Sequence, residues 1–317
     1  MRTMIKHVWR GMALMLLLAS TALAQPRVEK NVVFGMYSGT ALLMDVYHPV
    51  QSNGLGLIVI QGSGWYMPQR YDAPALKDDP IVATYGRRFA EAGYTAFVIN
   101  HRAAPRFRYP APLEDAQRAV RFIRHNAGAY AIDGRRLGAW GASSGGHLAA
   151  LLGTLDGAGD ANDSDPVNRE TAKVQAVVTL FPATDLASLT SPRGTTAVVG
   201  LMGFRHPPDP STAPPGFIRP DEPEIKAYRD ASPTTHVTPD DAPFLLMHGD
   251  ADVIAPIQQS EVMEQKLKSA GVAVRLVRVP GGQHGPNFLF FGKDESRRPD
   301  DFGEALKWFD RHLKSAQ

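Results

Sequence analysis

Among its 317 residues the chain has no cysteine. That excludes disulfides, a thiol nucleophile, a cysteine-ligated metal and a lipidated N-terminal cysteine. A dominant charge is missing too, since 34 Lys and Arg against 32 Asp and Glu leave a formal +2. Apart from Arg102, Arg106 and Arg108 the basic residues are scattered, which argues against a nucleic-acid-tracking surface. No internal repeat is present. Near the N-terminus the uncharged run that starts at Gly11 stops at Arg27, short of the roughly 20 residues that span a bilayer.

What is present there has the form of a targeting segment. Arg2, Lys6 and Arg10 make a basic start, Gly11 to Ala24 is mostly apolar, and Ala22-Leu23-Ala24 has the small-x-small pattern of a cleavage site. The expectation is a signal peptide over 1–24, a mature domain over 25–317, and an exported, periplasmic or secreted protein without stable membrane association. Apolar residues at 44% and charged residues at 21% are an ordinary globular mix.

Beyond the leader, Asn31 to Pro49 reads as two antiparallel strands joined around Ser38-Gly39-Thr40. Short apolar runs then alternate with helical stretches. The runs are LGLIVI, TAFVIN, LGAW, AVVTLF, PFLLMH and VRLVRV; the helices fall in Leu113–Tyr130, Gln259–Gly271 and the final DFGEALKWFDRHLKSA. Such alternation predicts a mostly parallel sheet with helices on both faces. The segment 186–230 breaks the rhythm with eight of the 25 prolines and little apolar periodicity. It reads as a long lid-like insertion.

Gly141-Ala142-Ser143-Ser144-Gly145 matches G-x-S-x-G between a strand-like LGAW and a helix-like HLAALLG. This is the setting of a nucleophile elbow, with Ser143 as nucleophile and the N–H of Ser144 as an oxyanion donor. In the α/β-hydrolase fold an acid and then a histidine follow the serine in the chain. Asp250 and Asp252 lie in the turn after PFLLMH, and the glycine-flanked His284 follows VRLVRV. Asp250 reads as a cap of its own turn, Asp252 as the partner of His284, and His147 and His248 as packing or hydrogen-bonding residues. Gln61-Gly62-Ser63-Gly64-Trp65 after LGLIVI supplies the remaining oxyanion donors, the N–H groups of Ser63 and Gly64, with Ser63 at ordinary negative φ. Trp65 and Tyr66 are candidate pocket residues. No metal or cofactor is called for.

Four segments, HRAAPRFRYPAPLEDAQRAVRFIRHNA, AIDGRRLGAWGASSGGHLAALLGT, ASPTTHVTPDDAPFLLMHGDADVIAP and GGQHG, resemble the esterases related to hormone-sensitive lipase, above all the bifunctional feruloyl and acetyl-xylan esterase-like group. The resemblance implies an α/β-hydrolase fold and hydrolysis of carboxylic esters through a Ser-His-Asp triad. It further implies acetylated or feruloylated plant polysaccharide fragments as substrates. Two motifs depart from that group: Gln61 and Ser63 replace the His and a Gly of H-G-G-G-W, and His101-Arg102 replaces Y-R. A peptidase of prolyl-oligopeptidase type and a non-catalytic binder on a hydrolase scaffold are the competing readings.

Overall fold

The computed structural model describes residues 25–204, 223–285, 288 and 299–314; the expected signal peptide lies outside them. The N-terminal strands form a hairpin, β1 (Arg27–Tyr37) and β2 (Thr40–His48), and the turn at Ser38 and Gly39 takes positive φ at both positions, as a two-residue hairpin loop requires. Six further strands follow: β3 (Gly56–Ile60), β4 (Thr95–Ile99), β5 (Leu137–Ala142), β6 (Ala176–Leu180), β7 (Phe244–Gly249) and β8 (Val274–Val279). They assemble in the order β1-β2-β4-β3-β5-β6-β7-β8, parallel from β4 to β8 and antiparallel in the β1-β2-β4 portion. Every apolar run predicted as a strand is one.

Among the described residues the α-helices are α1 (Pro80–Glu91), α2 (Ala111–His125), α3 (Ser144–Thr154), α4 (Pro192–Met202), α5 (Pro223–Asp230), α6 (Gln258–Ser269) and α7 (Asp301–Phe309). The inner strands are buried on both faces, and their side chains divide with period two between two cores. Ile58, Ile60 and Ala139 join α2, α3 and α6 on one face. Leu57, Val59 and Trp140 join α1 and α7 on the other. The sequence reading lacked α1, whose start is nonetheless signalled by the Asp79 carboxylate capping the N–H of Ile81 ahead of Pro80.

The segment 186–230 is not a structureless loop. Within its described part lie α4 and α5, and Leu186, Leu189, Val198, Leu201 and Tyr228 form a third apolar cluster with Trp65. Ser191 caps α4 by accepting from the N–H of Gly194, Pro192 opens it, and Gly203 ends it at φ 80°. These cap signals outweigh the proline count.

Candidate active site

Ser143 sits at φ 52° and ψ −122° between the end of β5 and the start of α3. That is costly for a residue with a Cβ and is held by the surroundings. Its N–H donates to the Leu180 carbonyl at 2.8 Å. The flanking glycines are a matter of space: a Cβ on Gly141 would lie 2.2 Å from the Gly145 carbonyl oxygen, and one on Gly145 would lie 2.2 Å from that of Ile60. Strand and helix therefore pass too closely for any side chain at either position.

The three residues predicted to act together do meet. His284 Nε2 is 2.8 Å from Ser143 Oγ, and His284 Nδ1 is 2.6 Å from Asp252 Oδ2. The other Asp252 oxygen accepts from the N–H groups of Ile254 at 2.8 Å and Ala255 at 2.9 Å. Burial alone would raise the Asp252 pKa. Hydrogen bonds from His248 and His284, with those backbone donors, outweigh it and hold the carboxyl at about 2. Asp252 is thus an ionised, oriented partner for the imidazole.

Asp250 has a different task from the one expected. It accepts at 2.7 Å from the N–H of Gly281, in the turn after β8, rather than from its own turn; Asp252 caps that one. His248 is fully buried, 2.7 Å from both Ser260 Oγ and the Ala255 carbonyl. His147, also fully buried, donates from Nε2 to the Ala231 carbonyl at 2.7 Å and accepts at Nδ1 from the Trp65 indole at 3.1 Å. Both are structural, as read from the sequence.

The oxyanion loop departs from the sequence expectation at Ser63. Ser63 does not take positive φ, but its N–H does not face the pocket unpaired: it donates to Ser144 Oγ at 2.8 Å. Ser144 carries a hydroxyl that can accept there, and it is 1% exposed beside the loop. The Ser63 hydroxyl is itself buried without a partner among the described residues. Gly64, at φ 64°, and Ser144, first residue of α3 and so without an intrahelical acceptor, retain N–H groups with no acceptor among the described residues, and both border the cavity beside the nucleophile.

A cavity of about 570 Å³ opens over Ser143 and His284, with Trp65 in its wall. Tyr66 is not part of that wall; it is 51% exposed and bridges to Ala104 instead. Phe181 is a wall residue the sequence reading missed. It is held at φ 39° just past β6, with its ring centroid 4.7 Å from that of His284. Tyr85, Arg88, Trp140 and Asp301 also border the cavity, and no short motif marks them. Among the described residues no group of three or more His, Cys, Asp or Glu gathers as a metal ion would need. No helix among them is long and apolar enough to cross a membrane.

Strand order, elbow and Ser-His-Asp geometry together define an α/β-hydrolase. The BD-FAE family model matches residues 44–267. The chain belongs to that family, the group its sequence segments resemble. Among similar proteins, Esterase LipC of Mycobacterium tuberculosis is 27% identical over 74% of this chain and 53% of its own length. Ethyl acetate hydrolase of Pseudomonas putida is 27% identical over 87% of this chain and 80% of its own. The chain spans about half the length of the curated relatives it matches first. In structure it superposes on a truncated carbohydrate esterase from gut microbiota with a TM-score of 0.72 at 25% identity, covering 92% of this chain and 98% of that one.

Proposed function

We propose that the chain is a serine carboxylesterase. The carrying observation is the unbroken line Ser143 Oγ, His284 and Asp252, with contacts of 2.8 and 2.6 Å, at the floor of the cavity. In this reading Ser143 attacks the ester carbonyl as His284 Nε2 takes its proton, while Asp252 keeps the Nδ1–H oriented and stabilises the imidazolium. The N–H groups of Gly64 and Ser144 hold the oxyanion. His284 returns the proton to the leaving alcohol, and water then releases the acid by the same route. Family membership supports acetyl or feruloyl esters of plant polysaccharide as the substrates, and the Arg2–Ala24 pattern supports export with cleavage near Gln25. The test pairs a fluorophosphonate probe with p-nitrophenyl acetate. The wild type should be labelled and turn over the ester; Ser143→Ala should lose the label and about a million-fold in kcat. A labelled, active Ser143→Ala would end this reading.

A further inference from the structure

The cavity has two chemically different ends. Beneath α4 it is bounded by Ala183, Leu189, Ala197 and Ile254, an apolar wall. On the side where α1 and the start of α7 cover the sheet, it is bounded by Tyr85, Arg88, Trp140 and Asp301. Resting on the esterase reading above, we propose that this second end is a subsite for a hydroxyl-bearing part of the ester, recognised by Arg88 as donor and Asp301 as acceptor.

The polar groups there are underused by the protein itself. The guanidinium carbon of the exposed Arg88 lies 3.8 Å over the Phe302 ring, and the group has no carboxylate or carbonyl partner among the described residues. Asp301 is 8% exposed. One of its oxygens accepts from the Tyr85 hydroxyl and the other from the N–H of Phe302, which leaves further acceptor sites on the two oxygens unfilled. Trp140 is fully buried, and its indole N–H has no acceptor among the described residues. Its ring stacks on Tyr85 with centroids 4.0 Å apart, so the end is built and rigid.

The balance of these groups selects the ligand. An alkyl chain would strip water from Arg88 and Asp301 and return no hydrogen bond. A carboxylate would satisfy Arg88 but face Asp301. A neutral hydroxyl accepts from the guanidinium and donates to the carboxylate, as sugar and polyol hydroxyls do, while C–H faces of the same group lie against the Tyr85 ring, which Trp140 backs. The subsite therefore favours a polyol or sugar-like portion over a hydrocarbon of the same length.

The test is a ratio of kcat/KM within matched ester pairs: glyceryl monoacetate against propyl acetate for the alcohol side, and ethyl 6-hydroxyhexanoate against ethyl hexanoate for the acyl side. In at least one pair the wild type should prefer the hydroxylated ester about tenfold or more. Arg88→Met should bring that ratio near one. Arg87→Met, which removes the same charge from the adjacent exposed position of α1, should leave it. Ratios near one in both pairs for the wild type, or a preference that survives Arg88→Met, would overturn the subsite while ester turnover and Ser143 labelling stand. Loss of both turnover and labelling in the wild type would overturn the esterase reading and the subsite with it.

Discussion

Two aspartates stand two positions apart in the turn after β7 and answer to different physics. Asp252 touches the imidazole directly at 2.6 Å, so Asp252→Asn presents an amide that can donate to Nδ1 and favours the wrong tautomer. The expected result is a kcat lower by about four orders of magnitude with the fold intact. Asp250 holds only the N–H of Gly281 at the surface, and Asp250→Ala should cost about 1 kcal/mol of stability while kcat changes little. Urea unfolding and p-nitrophenyl acetate kinetics on both variants check this; a dead Asp250→Ala with an active Asp252→Asn would exchange the roles. The positions of Ser143, Asp252 and His284 were readable because each follows a strand end in a fixed chain order. Tyr85, Arg88 and Asp301 were not. They lie on amphipathic helices far apart in sequence, with nothing local to separate a cavity wall from an ordinary helix face.

At the scale of elements, the oxyanion loop and α3 are fastened to each other. A Cβ on Gly62 would lie 2.4 Å from the Ala142 carbonyl oxygen, so the loop rests on the elbow, and the bond from Ser63 N–H to Ser144 Oγ pins it there. A link across 81 residues between a backbone donor and a side chain leaves no trace in spacing or composition. The Ser63 N–H therefore reads from sequence as an oxyanion donor, although the fold uses it as a pin. Strand positions were legible because parallel strands buried on both faces read as continuous apolar runs; α4 was obscured by prolines despite its caps. Ser144→Ala removes the acceptor but keeps the Ser144 N–H. It should lower stability by about 1–3 kcal/mol, the cost of an unpaired buried donor, with kcat within tenfold of wild type. Unchanged stability in denaturant would mean that the pin contributes nothing.

Across the whole molecule, acid sensitivity follows from histidines sealed inside the fold. Burial holds the His147 pKa at about 4, against an ordinary value of 6.5, and pushes His101 down as well. The geometry agrees: His147 Nδ1 already accepts from the Trp65 indole, so a proton there would set donor against donor. A depressed folded pKa means that the unfolded chain takes up the proton first. The stability tied to neutral His147 is therefore complete above about pH 6.5 and is lost progressively as pH falls toward 4. For His147 alone the loss amounts to about 3 kcal/mol. Glutamine can accept from Trp65 and donate to the Ala231 carbonyl without titrating, so His147→Gln should flatten this limb. Carboxylates and His101 titrate in both proteins and cancel in the comparison. Unfolding free energies by urea at pH 7.5 and pH 4 give the test: wild type should lose about 3 kcal/mol more than His147→Gln between those values. Parallel losses in the two proteins would show that His147 does not carry the acid limb.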